Sequence, residues 1–327
     1  MSSSPPKVSV LSPCYNVGPY IGRFLDSLLA QTYKNLEIIL VNDGSTDNTG
    51  AIITSYIPHL EAQGYGVIYL EQENGGQSSA VNNGLKHVTG KYLTWPDADD
   101  WFTPDSIETK VCFMESHPEA GLMRGNIQPI EEDSGTLPPL FSPAELPSLE
   151  RPDFFHHLIF GNAWITPVGY MVRTSCLDAA IPGREIYVTR TGGQNWQILL
   201  PIAQQFPAWQ IPETVGYYLI RSNSHSHSHN SYARQIAFKN MCEDILTHTL
   251  SKLPGGAELL PEVYQKYNRE RLELANLHSH YPDMWKYGLR VFRCSNTTSE
   301  KLRALLRMLI SGRLFEKCRH ARRRFWH

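Results

Sequence analysis

Between residues 7 and 126, short apolar runs alternate with amphipathic stretches. Val8–Leu11, Leu36–Val41, Val67–Leu70, Tyr92–Trp95 and Gly121–Arg124 read as strands. Between the first two, Ile21, Phe24, Leu25, Leu28 and Leu29 recur at helical spacing, which predicts a helix over Ile21–Gln31. A second helix is predicted over Thr46–Tyr56, opened by the cap-like Ser45-Thr46-Asp47-Asn48, and two more over Ser78–His87 and Pro104–His117. Repeated strand–helix units of this kind predict a largely parallel, doubly wound α/β sheet whose ligands bind at the carboxyl ends of the strands.

From Gln128 to Pro152 the pattern breaks, and six prolines among Glu, Ser and Leu mark an excursion over the surface, a boundary or a lid. Asp153–Phe160, Trp164–Arg173, a helix over Asn195–Gln205 and the strand-like Gly216–Arg221 then rebuild a mixed structure. Beyond Tyr232 the periodicity is helical. The expected organisation is a first domain over 1–230, with halves 7–126 and 127–230, and a helical region over 231–327.

With 41% hydrophobic and 19% charged residues over 327 positions, the chain has the composition of a globular protein, neither disordered nor fibrous. No apolar run reaches the roughly 18 residues of a membrane span, and the first six residues lack the basic and apolar regions of a secretory leader. A cytoplasmic location is expected. The six cysteines lie far apart without a C-x-x-C pair, so free thiols are expected rather than a zinc site or a disulfide framework.

The net charge of −2 hides an asymmetry. Residues 286–327 hold twelve Lys/Arg against Glu300 and Glu316, and the chain ends in Arg322-Arg323-Arg324-Phe325-Trp326-His327. A basic, aromatic-tipped tail on an acidic body suits an anionic membrane surface, peripheral attachment at the inner face being the expectation; nucleic acid is not expected as a partner. A solvated terminal helix is the plainer alternative.

Chemistry-bearing clusters follow the predicted strands. Ser12-Pro13-Cys14-Tyr15-Asn16 follows the first and Asn42-Asp43-Gly44-Ser45 the second, where Asp43 can accept hydrogen bonds from a base imide or a ribose hydroxyl. Glu73-Asn74-Gly75-Gly76-Gln77 opens a helix, so its glycines let the backbone approach a phosphate favoured by the helix N-terminus. Neither G-x-G-x-x-G nor G-x-x-x-x-G-K-[ST] occurs, which argues against Rossmann dehydrogenases and P-loop enzymes. Trp95-Pro96-Asp97-Ala98-Asp99-Asp100-Trp101 follows the fourth strand, and alternation turns Asp97 and Asp99 the same way, toward one hard cation and, through it, a pyrophosphate.

In these four motifs, in their order and spacing, residues 7 to about 126 resemble the nucleotide-binding half of family 2 glycosyltransferases of the GT-A fold. The resemblance implies a Rossmann-like mixed α/β sheet and an inverting, metal-dependent transfer of one sugar, of hexosyltransferase type, from a nucleotide-diphosphate donor, UDP-sugars being favoured. The acceptor would be a hydroxyl of a surface glycan or a lipid-linked acceptor. Pro13, Tyr15, Asn16 and Asp43 would flank the base and ribose, Asn74, Gly75, Gly76 and Gln77 the diphosphate; Asp97 would touch the ribose or metal-bound water, and Asp99 would bind Mn²⁺ or Mg²⁺. His225 or His227, with His229 as a third candidate, would complete the metal's coordination, and Arg221 would offset the diphosphate's charge. Trp164, Tyr170 and Trp196 would line the acceptor side.

The chain departs from the family where a general base is expected. Family members commonly carry Gly-Glu-Asp-Trp, and here the stretch reads Gly193-Gln194-Asn195-Trp196. An amide is no base at neutral pH. Glu185, Asp178 or His157 could serve instead, Asn195 could orient the acceptor, or the protein could bind nucleotide-sugars without turnover. A sugar nucleotidyltransferase is a further alternative.

Overall fold

The computed structural model describes residues 4–132, 135–138, 149–150, 153–161, 165–189, 194–221, 231–295 and 297–309. The chain divides into two compact units, Met1–Ser222 and Asn223–His327.

The first unit is an α/β structure. Its strands are β1 (Val8–Cys14), β2 (Leu36–Asp43), β3 (Gly66–Gln72), β4 (Tyr92–Thr94), β5 (Trp101–Phe102), β6 (Leu122–Glu131), β7 (Gly135–Thr136), β8 (Leu149–Glu150), β9 (Tyr170–Arg173) and β10 (Ala208–Ile220). Its helices are α1 (Gly18–Leu29), α2 (Thr49–Ala62), α3 (Gln77–Leu85), α4 (Ser106–Ser116), α5 (Phe154–Phe160), α6 (Thr174–Ala180) and α7 (Gln194–Gln205). Among the described residues the main sheet runs β3-β2-β1-β4-β9-β6-β10-β5. β3, β2, β1 and β4 are parallel. β9 lies antiparallel between β4 and β6, and β10 continues parallel to β6. The main sheet is therefore mixed, as the family resemblance implied, its antiparallel members being β9 and the edge strand β5.

β1 and β2 are covered on both faces, so their runs are apolar throughout: Val8, Val10, Leu11, Ile38, Ile39 and Leu40 have no exposed surface. The amphipathic α1 adds Ile21, Phe24, Leu25 and Leu28 to this core. α2 begins at Thr49, later than the sequence pattern suggests, because Asp47 Oδ1 accepts from the Thr49 amide at 3.0 Å and Oδ2 from the Gly18 amide at 2.9 Å. Ser45 to Asn48 thus belong to the turn. The strand foreseen at Gly121–Arg124 continues to Glu131, and that at Gly216–Arg221 begins at Ala208, since β6 and β10 pair along their length.

The second unit holds α8 (Tyr232–Ser251), α9 (Gly256–Leu277), α10 (Tyr281–Cys294) and α11 (Thr298–Leu309). α9, α10 and α11 enclose a core of Leu272, Ala275, Met284, Tyr287, Val291 and Ala304. Cys14, Cys112, Cys176, Cys242 and Cys294 are free thiols; Cys318 lies outside the described residues. Among the described residues no helix is long and apolar enough to cross a membrane.

Candidate active site

The carboxyl ends of β1, β2 and β4 share one edge of the sheet because these strands run parallel. β6 and β10 point the same way, since each is reached from β4 through the antiparallel β9. One edge therefore collects Tyr15, Asp43, Asp97, Asp99 and Arg221. Pro13 is half-buried there, while Tyr15 and Asn16 are exposed. The Ser12 hydroxyl donates to the Pro96 carbonyl at 2.9 Å, tying the ends of β1 and β4. Asn16, at φ 49°, accepts at Oδ1 from the Thr46 amide at 2.8 Å and so binds the first motif to the second.

Asp43 anchors the glycine loop. Its Oδ1 accepts from Gln72 Nε2 at 2.7 Å and the Gly75 amide at 2.9 Å, and its Oδ2 accepts from the Gly76 amide at 2.9 Å. Asn74 Nδ2 donates to the Asp43 carbonyl at 3.0 Å. The approach needs glycine at position 44, where φ is +69° and a Cβ would lie 2.8 Å from the Asn74 nitrogen. Asp43 is only 2% exposed, so the carboxylate expected to meet a base or ribose is engaged by the loop, with acceptor capacity left only at Oδ2.

Gly76, at φ 88°, caps α3, and Gln77 in its first turn donates from Nε2 to Asp97 Oδ1 at 2.5 Å. The loop and the acidic motif are thereby joined. Burial, and next the Asp99 charge, push the Asp97 carboxyl up to about 7, with Gln77 opposing. Asp99 Oδ2 pairs with Arg221 Nη2 at 2.5 Å, and that guanidinium lies 4.5 Å from the Tyr20 ring centroid. Asp100 is buried; its Oδ1 accepts from the Leu219 amide at 3.0 Å, holding the motif to β10, and its Oδ2 has no partner. Burial, with Asp99 and Asp97 close by, raises its carboxyl well above the ordinary range.

This donor set fits a hard divalent cation. Asp97 and Asp99 offer carboxylate oxygens on one edge, and their mutual repulsion calls for positive charge, a task that Arg221 performs for Asp99. Among the described residues no three His, Cys, Asp or Glu side chains could hold an ion by themselves. Such a cation would draw its other ligands from phosphate oxygens and water, as Mg²⁺ ordinarily does. His225, His227 and His229 lie outside the described residues.

Where the sequence leads one to expect the acceptor, α7 starts beside the acidic motif: Trp95 Nε1 donates to Asn195 Oδ1 at 2.9 Å. That contact spans a hundred residues and has no sequence signal. Of the other base candidates, Asp178 pairs with Arg184 at 2.5 Å, and the Arg184 guanidinium binds the Leu85 and Val88 carbonyls at the far end of α3 from Gln77. Asp178 is therefore a structural counter-ion away from the edge. Glu185 is exposed, next to Ile186, whose backbone is held by Asn82 in the C-terminal part of α3. His157 is half-buried on α5, and Trp196 fastens α7 to that helix by donating to the Leu158 carbonyl at 3.1 Å. Tyr170, expected to face the acceptor, is instead fully buried, stacked on Trp95 with centroids 6.4 Å apart. α5 covers this face of β9, Phe154 lying with its ring centroid 6.4 Å from that of Tyr170, which makes the tyrosine part of the core. Trp164 lies outside the described residues.

The architecture and this edge define a GT-A nucleotide-sugar transferase fold. Residues 9–164 match the model of glycosyl transferase family 2. Over 129 residues, 39% of this chain, it is 40% identical to glycosyltransferase GlyA of Streptococcus pneumoniae, of which the match covers 18%. It spans less than half the length of the curated relatives it matches. Its fold is like that of residues 1–349 of S. aureus TarS in complex with UDP-GlcNAc, with TM-score 0.62, 18% identity, and 92% and 88% of the two chains covered. It is also like the mannosyltransferase PcManGT of Pyrobaculum calidifontis in complex with GDP-Man and Mn²⁺, with TM-score 0.56, 19% identity, and 93% and 80% covered.

Proposed function

We propose that the protein is a metal-dependent, inverting glycosyltransferase that moves one hexosyl unit from a nucleotide-diphosphate donor, UDP-sugars being favoured. The acceptor is a hydroxyl of a surface glycan or a lipid-linked acceptor in polysaccharide biosynthesis. One observation carries the reading: Gln77 joins the glycine loop to Asp97, so the loop, the carboxylate pair and Arg221 meet on one strand edge.

Asp97 and Asp99 would hold Mn²⁺ or Mg²⁺, whose charge stabilises the departing diphosphate. The free amides in the first turn of α3 favour the same negative charge. Arg221, leaving Asp99, would add a guanidinium to it. Pro13, Tyr15, Asn16 and the remaining lone pair of Asp43 Oδ2 would surround the nucleoside. Asn195, whose Oδ1 is committed to Trp95, presents Nδ2 as a donor to orient the acceptor hydroxyl. The hydroxyl's proton must go elsewhere, since an amide does not take it. The same amide favours a second reading, donor binding without turnover. The basic tail would bring the protein to the inner membrane face as a peripheral, cytoplasmic enzyme.

The test is a thermal-shift panel of UDP, GDP, CDP, TDP and ADP with and without Mn²⁺, a ligand at 100 times its Kd stabilising by about 2.7 kcal/mol. A metal-dependent shift with one nucleotide supports the site and names the donor class; no shift with any of them removes the reading. Transfer of sugar to an acceptor then separates the enzyme from a binding protein.

A further inference from the structure

The second unit carries an apolar surface that its own packing leaves open. On α10, Tyr281, Trp285 and Leu289 recur every four residues and are exposed, Trp285 at 47%. On α11, Leu302, Leu305, Leu306 and Leu309 are exposed, Leu309 at 67%, and at 100° per residue they fall within about 100° of arc. The opposite requirement is met elsewhere on both helices: Met284, Tyr287, Gly288 and Val291 of α10 and Ala304 and Met308 of α11 are buried.

The two stripes adjoin. Gly288 faces Met308, where an added Cβ would lie 2.2 Å from its Cγ, and Lys301 of α11 lies 5.8 Å from the Phe292 ring of α10. On each helix the stripe begins next to this seam and turns away from α9, which pairs instead with the far side of α11 through Arg269–Glu300 and Arg307–Glu273. The result is one apolar face rather than scattered leucines.

Charge identifies what covers it. From Met284 to Leu309 the chain has six Lys/Arg and a single acid, Glu300, which Arg269 neutralises at 2.8 Å. Asp283, just before, is held by the Tyr232 hydroxyl at 2.6 Å. Lys286 and Arg293 flank the α10 stripe and Arg303 the α11 stripe, all exposed. A nucleic acid would use the cations and leave the leucines in water, whereas a lipid surface uses both.

We propose that the α10–α11 face lies on an anionic bilayer, with Trp285 and the four leucines at the headgroup–acyl boundary and the flanking basic residues on the headgroups. This deepens the membrane-surface reading of the tail and rests on it, but assigns the contact to named side chains of two folded helices.

The test uses the full chain and vesicles of phosphatidylcholine containing about one third phosphatidylglycerol, with pure phosphatidylcholine as control. Wild type should sediment with the anionic vesicles only. Leu302→Gln, Leu306→Gln and Leu309→Gln together should weaken partitioning by about tenfold or more with the melting temperature unchanged, because these side chains touch solvent. Trp285→Phe should keep binding but lose part of the fluorescence quenching caused by brominated lipid. If the triple variant binds like wild type while deletion of residues 313–327 abolishes binding, the tail reading stands and this proposal falls. If wild type does not bind, both fall. If wild type is a dimer that the triple variant converts to monomer, a second copy covers the face and the proposal is wrong; displacement of vesicles by an oligonucleotide would overturn it equally.

Discussion

Two acidic corners lie side by side on one sheet edge and are built in opposite ways. At the end of β2, Asp43 takes three hydrogen bonds from Gln72, Gly75 and Gly76, and the loop closes around it. At the end of β4, Asp97, Asp99 and Asp100 stand within four residues, one oxygen of Asp100 has no partner, and burial drives the Asp97 carboxyl up to about 7. A carboxylate held by three donors shapes the backbone around it. Carboxylates that repel one another store a demand for positive charge, which a cation or a guanidinium can meet. The first corner is scaffold for the second.

The largest effect should follow from attacking the demanding corner. Asp99→Asn should lower sugar transfer by about 10²–10³-fold, the scale of losing one electrostatic stabiliser, with melting within a few degrees of wild type. Transfer that survives unchanged would show that this corner does not serve the reaction.

Asp43→Asn attacks the scaffold corner. It turns one acceptor toward an amide donor, and the expected outcome is a stability loss of about 1–3 kcal/mol in urea unfolding together with weaker nucleotide binding. Loss of nucleotide binding with full stability would instead make Asp43 a direct contact.

Lys110 calibrates what burial alone does to a charge in this unit. Its Nζ donates to the Val168 carbonyl at 2.6 Å, and desolvation lowers its pKa to about 7. Between about 7 and the ordinary 10.5 the unfolded chain binds a proton that the folded chain does not, so stability rises with pH across that window. Urea melts should show wild type gaining about 1–2 kcal/mol from pH 7.5 to 9 relative to Lys110→Met. A flat difference would mean the ammonium stays charged.

The smallest effect concerns the guanidinium. The Asp99–Arg221 pair is partly exposed and worth at most about 1 kcal/mol, so Arg221→Ala should tighten Mn²⁺ binding without nucleotide by no more than about fivefold. Titration calorimetry would measure it, and weaker metal binding would show that Arg221 does not compete with the cation.

The strands and most helices of residues 7–126 are legible in the sequence because apolar periodicity is local and parallel strands covered on both faces read as apolar runs. The carboxyl-end position of Asp43, Asp97 and Asp99 follows from that pattern. Asp100 stood in the same motif yet drew no role, since only contact with Leu219 gives it one. β10 was underestimated at its start, where Pro212 and Glu213 interrupt the alternation and pairing with β6 restores it.

The sequence by itself determined which residue types stand at the strand ends and that an amide, Asn195, stands where the family resemblance implies a base. Covalent order and side-chain chemistry suffice for both. Only the tertiary structure decided that Asp43 grips the loop, that Trp95 holds Asn195, that Arg221 faces Asp99, and that Tyr170 is core rather than surface. Each of those is a contact between segments far apart in the chain, and which distant groups meet depends on sheet order and burial, quantities that no local pattern encodes.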